Sequence, residues 1–160
     1  MKRIWAPWRI KYLKMAKPSG CFLCDNPKQD KDDVNYLLYR GKYNFIIMNS
    51  FPYNPDHLLV APYRHVSSPE ALNEEERCEH YDLVINCITV LRKHSNPGGF
   101  NIGMNLGQVA GAGVADHIHT HIVPRWNGDT NFMPMLADVK VFPQALGELY
   151  EELKGKFGKT

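Results

Sequence analysis

The sequence lacks any long uninterrupted apolar segment. No uncharged apolar run approaches the roughly 20 residues that a helix needs to cross a bilayer. Lys2 and Arg3 near the N-terminus are not followed by the apolar region of a secretory signal. We therefore expect a cytoplasmic protein that has no membrane partner.

The chain also has little net charge and few cysteines. A formal charge of +2 over 160 residues predicts no extended basic surface for nucleic acid. The four cysteines are not expected to form disulfides in a reducing compartment. Cys21 and Cys24 form a C-x-x-C motif, which there indicates metal or redox chemistry. Cys78 and Cys87 fall in a helical pattern and are predicted to be core or surface thiols.

The hydrophobic patterning predicts about five strands. They cover Tyr36–Arg40, Tyr43–Asn49, His57–Ala61, Phe100–Leu106 and His117–Val123. The first two are separated by Gly41 and are predicted to form a β-hairpin. A content of 44% hydrophobic residues can support one domain over residues 1–160, with an arm at 1–20 and a tail and helix at 125–160.

Two longer helices are predicted beside these strands. Asn73 and Glu76 have the spacing of a capping box, so a long helix should begin there and end near Ser95. Its apolar face is predicted from residues at helical spacing: Tyr81, Val84, Ile85, Ile88 and Leu91. A second helix is predicted from Gln144 to Phe157, and a short one in the arm over Trp8–Leu13. The order of elements indicates an α+β fold with a mostly antiparallel sheet.

Three histidines alternate in His117–His121, with the sequence H-I-H-T-H. On a strand, alternate side chains share one face, so the three imidazoles should lie together. They would repel each other if all were protonated, which disfavours a purely structural role. They could be metal ligands, or one could be a nucleophile toward phosphorus while its neighbours bind phosphate or metal. The spacing alone does not separate these possibilities.

A glycine-rich loop, Asn105–Gly113, precedes the histidines. Its three glycines and two alanines allow backbone amides to approach an anion closely. Glycine is also common in ordinary turns, so the loop alone is a weak signal. Because it leads directly into the histidine strand, the combination favours phosphate chemistry and an enzyme.

These motifs resemble the signature of the histidine triad family, in which histidines alternate with hydrophobic residues. The resemblance extends over Cys21–Arg125 and includes Asn49 in I-I-M-N and His57 in D-H-L-L-V-A-P. It implies a histidine-triad fold, a homodimer and no organic cofactor. The flanking segments W-A-P-W-R and V-P-R-W-N-G-D-T-N-F resemble bacterial diadenosine tetraphosphate phosphorylases, which are similar to the fragile-histidine-triad branch.

The chain departs from the family pattern at two places. Thr120 stands where the signature usually has a hydrophobic residue, on the face opposite the chemistry. In the loop, Ala112 and Gly113 stand where glutamine and a hydroxyl residue are usual. Backbone amides would therefore replace a side-chain hydroxyl as the contact with phosphate.

The resemblance implies a role for each candidate site residue. These are His119 as the nucleophile, His121 as a contact of the scissile phosphate, Asn49 for the ribose hydroxyls, Asn105 near the α-phosphate, His57 supporting the triad, and Gly111 and Gly113 in the phosphate loop. The implied reaction is cleavage of a dinucleoside polyphosphate, such as diadenosine tetraphosphate, at the α-phosphate through a covalent nucleotidyl-histidine, with water or phosphate as acceptor. Three alternatives stay open: a nucleoside phosphoramidate hydrolase, a non-catalytic nucleotide-binding module, and a metalloenzyme that uses all three histidines.

Family members with C-x-x-C carry a structural zinc that two histidines complete. The resemblance therefore implies a closed tetrahedral site of Cys21, Cys24, His65 and His117. A redox dithiol is the rival interpretation, but no thioredoxin-like βαβ context follows the motif.

The segments Trp5–Tyr12 and Arg125–Phe132 are assigned to a second nucleotide pocket or a subunit interface, with Trp126 stacking a base or packing.

Overall fold

A five-stranded antiparallel sheet is the central element of the computed structural model, which describes residues 20–129 and 144–158. Its strands are β1 (Leu37–Arg40), β2 (Asn44–Met48), β3 (Leu58–Pro62), β4 (Gly99–Met104) and β5 (Thr120–Arg125). Their order across the sheet is β1-β2-β3-β5-β4, and each neighbouring pair is antiparallel. The predicted α+β fold and the β1–β2 hairpin are confirmed.

The helices within the described residues are α1 (Phe22–Asp25), α2 (Asp32–Asn35), α3 (Glu74–Ser95) and α4 (Leu146–Leu153). Short 3-10 helices lie at Asn26–Lys28, Pro69–Ala71 and Gln108–Ala110. The predicted long helix and C-terminal helix are therefore both present. The predicted arm helix and residues 130–132 of the predicted segment Arg125–Phe132 lie outside the described residues. None of the described helices has the length and apolar character to cross a membrane.

The two faces of the sheet are packed differently. The helix face is covered by α3 and α4 and carries Ile46, Val60 and Ile122 in a large apolar core. On the opposite side, which we call the histidine face, Phe45, Ile47, Leu59 and Ala61 pack with Leu23 of α1 and with Leu37. This second, smaller core leaves space on the same face for polar side chains.

The start of α3 follows its capping prediction. The Glu76 amide donates to Asn73 Oδ1 (2.8 Å) while the Asn73 amide donates to Glu76 Oε2 (2.8 Å), so both arms of the capping box are made. The helix ends where Asn96 adopts a left-handed conformation (φ 46°), which asparagine tolerates better than most residues.

The predicted apolar face of α3 is partly wrong. Val84 and Leu91 are buried, but Tyr81 and Ile85 are 67% and 45% exposed. The buried stripe instead includes Glu76, His80, Asn86 and Cys87 besides aliphatic residues. Hydrophobic spacing misses this orientation, because the buried polar residues depend on partners far away in sequence.

Candidate active site and metal centre

The three histidines of the triad do not all lie on a strand. β5 begins at Thr120, and its pairing with β3 ends at the Val60–Thr120 rung. Just before it, the Ile118 amide donates to the Val66 carbonyl (2.7 Å), so the chain leaves the β3 ladder. The predicted strand over His117–Val123 is therefore wrong in its boundaries. The histidines separate into His117 on one side and His119 with His121 on the other.

His57, His119 and His121 form one cluster at the histidine face. Ring centroids are 4.9 Å apart for His119 and His121, and 5.1 Å apart for His57 and His121. The sheet register places His121 opposite Leu59, two residues after His57. His57 and His119 are buried, and the Tyr53 ring lies 4.9 Å from His57. The cluster thus forms from β5 and the start of β3.

Hydrogen bonds within this cluster determine which ring nitrogen carries the proton in His57 and in His121. The Tyr53 amide donates to His57 Nδ1 (3.0 Å), which must therefore be the unprotonated nitrogen of a neutral ring. His57 Nε2 then carries the proton and donates to His121 Nδ1 (3.0 Å). It follows that the proton of neutral His121 is on Nε2, where it can donate to an anionic group.

His119 has the opposite arrangement. Its Nδ1 lies 2.9 Å from the His117 carbonyl oxygen, which can only accept, so Nδ1 carries the proton. The Nε2 atom of the neutral ring then bears the free electron pair. Burial lowers the pKa of His119 and so favours this neutral form. An unprotonated imidazole nitrogen is what a histidine nucleophile needs.

Cys21, Cys24, His65 and His117 meet beside this cluster. Sγ of Cys21 and Sγ of Cys24 each lie 3.3 Å from His117 Nδ1, and Cys24 Sγ lies 3.2 Å from His65 Nδ1. All four ligand atoms lie within 4.8 Å of one another. A tetrahedral zinc with bonds of about 2.3 Å to sulfur and about 2.0 Å to nitrogen would separate such ligand atoms by roughly 3.5 Å. The four residues can therefore hold a metal ion.

The ring of His117 is oriented for this role. Its Nε2–H group donates a hydrogen bond to the Pro62 carbonyl oxygen (2.8 Å). The Nδ1 electron pair is therefore directed at the sulfurs. Burial raises the pKa of the Cys24 thiol to about 11, whereas a bound cation would favour the thiolate. The donor set fits a metal better than a redox dithiol, because two histidine nitrogens complete it.

The other predicted site residues lie around the histidine cluster. Asn49 follows β2, with its Nδ2 atom 3.3 Å from His57 Nδ1 and its Oδ1 accepting the Phe51 amide (2.9 Å). Asn105 follows Met104, the last residue of β4, which pairs with Thr120 at the start of β5.

Gly111 and Gly113 lie in the loop between β4 and the histidines. Gly111 has a left-handed backbone (φ 88°), and its amide donates to the Gln108 carbonyl (2.9 Å) within the loop. This glycine therefore closes the turn that shapes the loop, while Gly113 lies two residues further toward His117.

The described part of the predicted tail is a turn. Asp129 accepts from Arg125 Nε (2.5 Å) and from Asn54 Nδ2 (2.7 Å), which joins the turn to the loop before His57. The Trp126 indole donates to the Ser95 carbonyl (3.1 Å) at the end of α3. This contact agrees with the packing interpretation of Trp126.

Sequence reasoning missed two residues that bear on the site. Tyr53 supplies the amide that sets the proton position of His57, but a backbone donor in a loop leaves no signal in the sequence. His80 of α3 bonds to Thr120, the residue between His119 and His121. The one available signal was the hydroxyl of Thr120 at a position where the family usually has a hydrophobic residue.

Comparison with known proteins identifies the family to which the chain is similar. The family model described as "HIT domain" matches residues 31–128. The chain is 40% identical over 154 residues to an AP-4-A phosphorylase of Mycobacterium tuberculosis, covering 91% of this chain and 79% of that protein. It is 33% identical over 93 residues to a bis(5'-nucleosyl)-tetraphosphatase [asymmetrical] of Schizosaccharomyces pombe, covering 58% of this chain and 50% of that protein.

Two solved structures show the same fold. A histidine triad nucleotide-binding protein of Sulfolobus tokodaii superposes with a TM-score of 0.64 at 26% identity, covering 83% of this chain and 86% of the other. A Zn-bound histidine triad family protein of Mycobacterium smegmatis superposes with a TM-score of 0.67 at 23% identity, covering 86% and 92%. At that identity the second likeness bears on the fold alone.

Proposed function

The chain belongs to the HIT domain family, and from this membership we propose that it cleaves dinucleoside polyphosphates at the α-phosphate through a covalent nucleotidyl bond to His119. One observation carries the proposal: His119 Nδ1 donates to the His117 carbonyl (2.9 Å), which leaves the Nε2 electron pair for attack. The degree of likeness to an AP-4-A phosphorylase supports diadenosine tetraphosphate as the substrate to test first.

The reaction has two steps. His119 Nε2 attacks the α-phosphorus, a P–N bond forms, and the P–O bond to the rest of the polyphosphate breaks with its electron pair on the leaving oxygen. A polyphosphate is a stable anion, so this step needs no proton donor for the leaving group. Water or inorganic phosphate then attacks the same phosphorus, and the electron pair of the P–N bond returns to His119 Nε2 while the acceptor loses its proton to solvent.

The surrounding residues bind and orient the nucleotide. The Nε2 proton of His121 would donate to the phosphoryl oxygens as charge develops on them. Asn49 would bind the ribose hydroxyls, and Asn105 would lie near the α-phosphate. Gly111 and Gly113 shape the loop that faces the phosphates, and His57 holds His121 in its proton-donating form.

Product analysis tests this proposal and identifies the acceptor. We expect the protein to convert diadenosine tetraphosphate to ATP and ADP only when inorganic phosphate is present. The reason is its similarity, over 91% of the chain, to the AP-4-A phosphorylase of Mycobacterium tuberculosis. ATP plus AMP without phosphate would instead indicate hydrolysis by the same first step. No cleavage of diadenosine tetraphosphate, with rapid cleavage of adenosine phosphoramidate, would contradict the proposed substrate class and favour the phosphoramidate alternative.

Cys21, Cys24, His65 and His117 would hold a structural zinc ion. What supports this is the donor set and the Nδ1 electron pair of His117 directed at two sulfurs. The ion would supply a cross-link between α1 and the chain around β3 and β5. Because four protein ligands close the tetrahedron, no position is left for water or substrate, and His119 and His121 stay available for the reaction.

An exposed apolar surface would join two copies of the chain. Tyr81 and Ile85 of α3 are exposed, and Ile102 and Met104 are exposed on β4, which is an edge strand with β5 as its one paired neighbour in the described sheet. By their register with β5, both β4 side chains point to the helix face. This surface agrees with the homodimer that the resemblance implies.

A charge placed on this surface should separate the dimer. We expect Ile85→Glu to be a monomer in analytical ultracentrifugation at concentrations where the unchanged protein is a dimer, because a carboxylate would be buried without a partner. Val34→Glu is the matched control, since Val34 is exposed on α2 away from this surface. A monomeric unchanged protein, or a dimeric Ile85→Glu variant, would contradict the proposed interface.

A further inference from the structure

A hydrogen-bonded network of buried polar side chains lies on the helix face of the sheet, opposite the two histidines of the proposed reaction. Thr120, between His119 and His121, points to the helix face, where its Oγ1 atom lies 2.7 Å from His80 Nε2. His80 Nδ1 lies 2.9 Å from Asn44 Oδ1. All three side chains are buried, and they connect β5, α3 and β2.

The direction of each hydrogen bond in this network follows from the contacts of Asn44, which stands at one end of it. Asn44 Nδ2 donates to the Glu76 carbonyl (3.0 Å) and to Glu79 Oε2 (3.0 Å), so the Asn44 Oδ1 atom faces His80 as an acceptor. His80 Nδ1 must then donate, and His80 Nε2 bears the electron pair. Thr120 is therefore the donor to His80, a role that serine can fill and valine cannot.

The hydrogen-bonded Thr120 and His80 side chains occupy buried positions where apolar side chains would usually pack. A buried hydroxyl and imidazole need partners, because an unpaired polar group in the core is destabilising. Burial also lowers the pKa of His80 to about 4, so the ring stays neutral and keeps its acceptor nitrogen near pH 7. When satisfied, such a network specifies one arrangement of the elements that it joins.

Thr120 lies at the point where the backbone needs such an anchor. It forms the last rung of the β3–β5 pairing, and the chain leaves that ladder immediately before it, at His119. The positions of His119 and His121 thus depend on where Thr120 is held. The network ties this residue to α3 and, through Asn44, to a strand two places away in the sheet.

We propose that Asn44, His80 and Thr120 are positioning residues, which fix the backbone of His119 and His121 through the hydroxyl of Thr120. The inference rests on the proposed function of those two histidines. It assigns a use to Thr120, where the family signature usually has a hydrophobic residue. The three side chains are buried and hydrogen-bonded to one another, and they would act through the strand that they hold.

Thr120→Val and Thr120→Ser test this inference as a pair. With diadenosine tetraphosphate, we expect Thr120→Val to lower kcat about 10- to 100-fold while KM changes little, since small displacements of reacting groups have effects of this size. Thr120→Ser keeps the donor and should restore most of kcat. If Thr120→Val loses thermal stability but keeps its kcat, the network is structural alone and the inference is wrong.

A second measurement needs no substrate. The Nδ1 proton of His119, bonded to the His117 carbonyl, should give a slowly exchanging imidazole signal in proton NMR, which is assigned by its loss in His119→Gly. We expect this signal to shift and to exchange faster in Thr120→Val, and to stay near its original position in Thr120→Ser. An unchanged signal in Thr120→Val would overturn the positioning role. If the protein without any substitution does not cleave diadenosine tetraphosphate, the proposed function is overturned instead.

Discussion

His119→Gly is expected to lose at least about 10⁴-fold in kcat on diadenosine tetraphosphate, because the nucleophile has no substitute in the cluster. The nearest imidazole, His121, has its Nδ1 occupied by the His57 proton and presents an N–H group instead of an electron pair. Steady-state rates with saturating substrate measure the effect. Nucleotide binding, measured by calorimetry, should change little, because the residues proposed to bind ribose and phosphate are retained.

His94→Ala is the matched control for this variant. His94 lies near the end of α3, where it contacts Glu152 and Lys156, and it has no part in the histidine cluster. Its replacement should leave kcat within about twofold, because His94 lies outside the proposed site and its contacts are with the C-terminal helix and the residues after it. Near-normal turnover by His119→Gly would refute the assignment of the nucleophile, whatever the control shows.

The second large effect concerns the metal centre. Cys24→Ser should bind no zinc and should melt at least about 10 °C below the unchanged protein, since loss of a cross-link worth about 4 kcal/mol has this effect on a chain of this size. Cys24 is the proposed ligand whose sulfur contacts both His65 and His117. Zinc per chain is counted by inductively coupled plasma mass spectrometry, and melting is followed by circular dichroism.

Cys78→Ser provides the comparison, because Cys78 is an exposed thiol of α3 outside the four-residue cluster. That variant should keep one zinc per chain and an unchanged melting temperature. An EDTA-washed protein that contains no zinc, yet keeps its activity and its melting temperature, would contradict the structural site.

The parts of the fold that depend on local sequence could be predicted. The capping box of Asn73 and Glu76 and the β1–β2 hairpin both involve residues close together in the chain. The approach of Cys21 and Cys24 to His117 spans more than 90 residues, and no local rule predicts it. That contact followed from the resemblance, which carries information about the whole fold.

The differences arise where distant backbone or side chains decide the outcome. Periodicity extended the last strand to His117, but the carbonyl of Val66 takes the Ile118 amide and ends the ladder early. The predicted apolar face of α3 is partly wrong because His80 and Glu76 are buried by hydrogen-bond partners outside the helix. Hydrophobic spacing treats such residues as surface positions, since their hydrogen-bond partners do not appear in the local sequence.

The central claim is a covalent bond between AMP and His119, and trapping that bond tests it most directly. The unchanged protein is mixed with diadenosine tetraphosphate without phosphate, denatured within milliseconds at alkaline pH, where the P–N bond persists, and digested for mass spectrometry. We predict one AMP group on the peptide that contains His119, which disappears when phosphate is added before quenching. Turnover without any trapped AMP, or AMP attached to a different residue, would contradict the account.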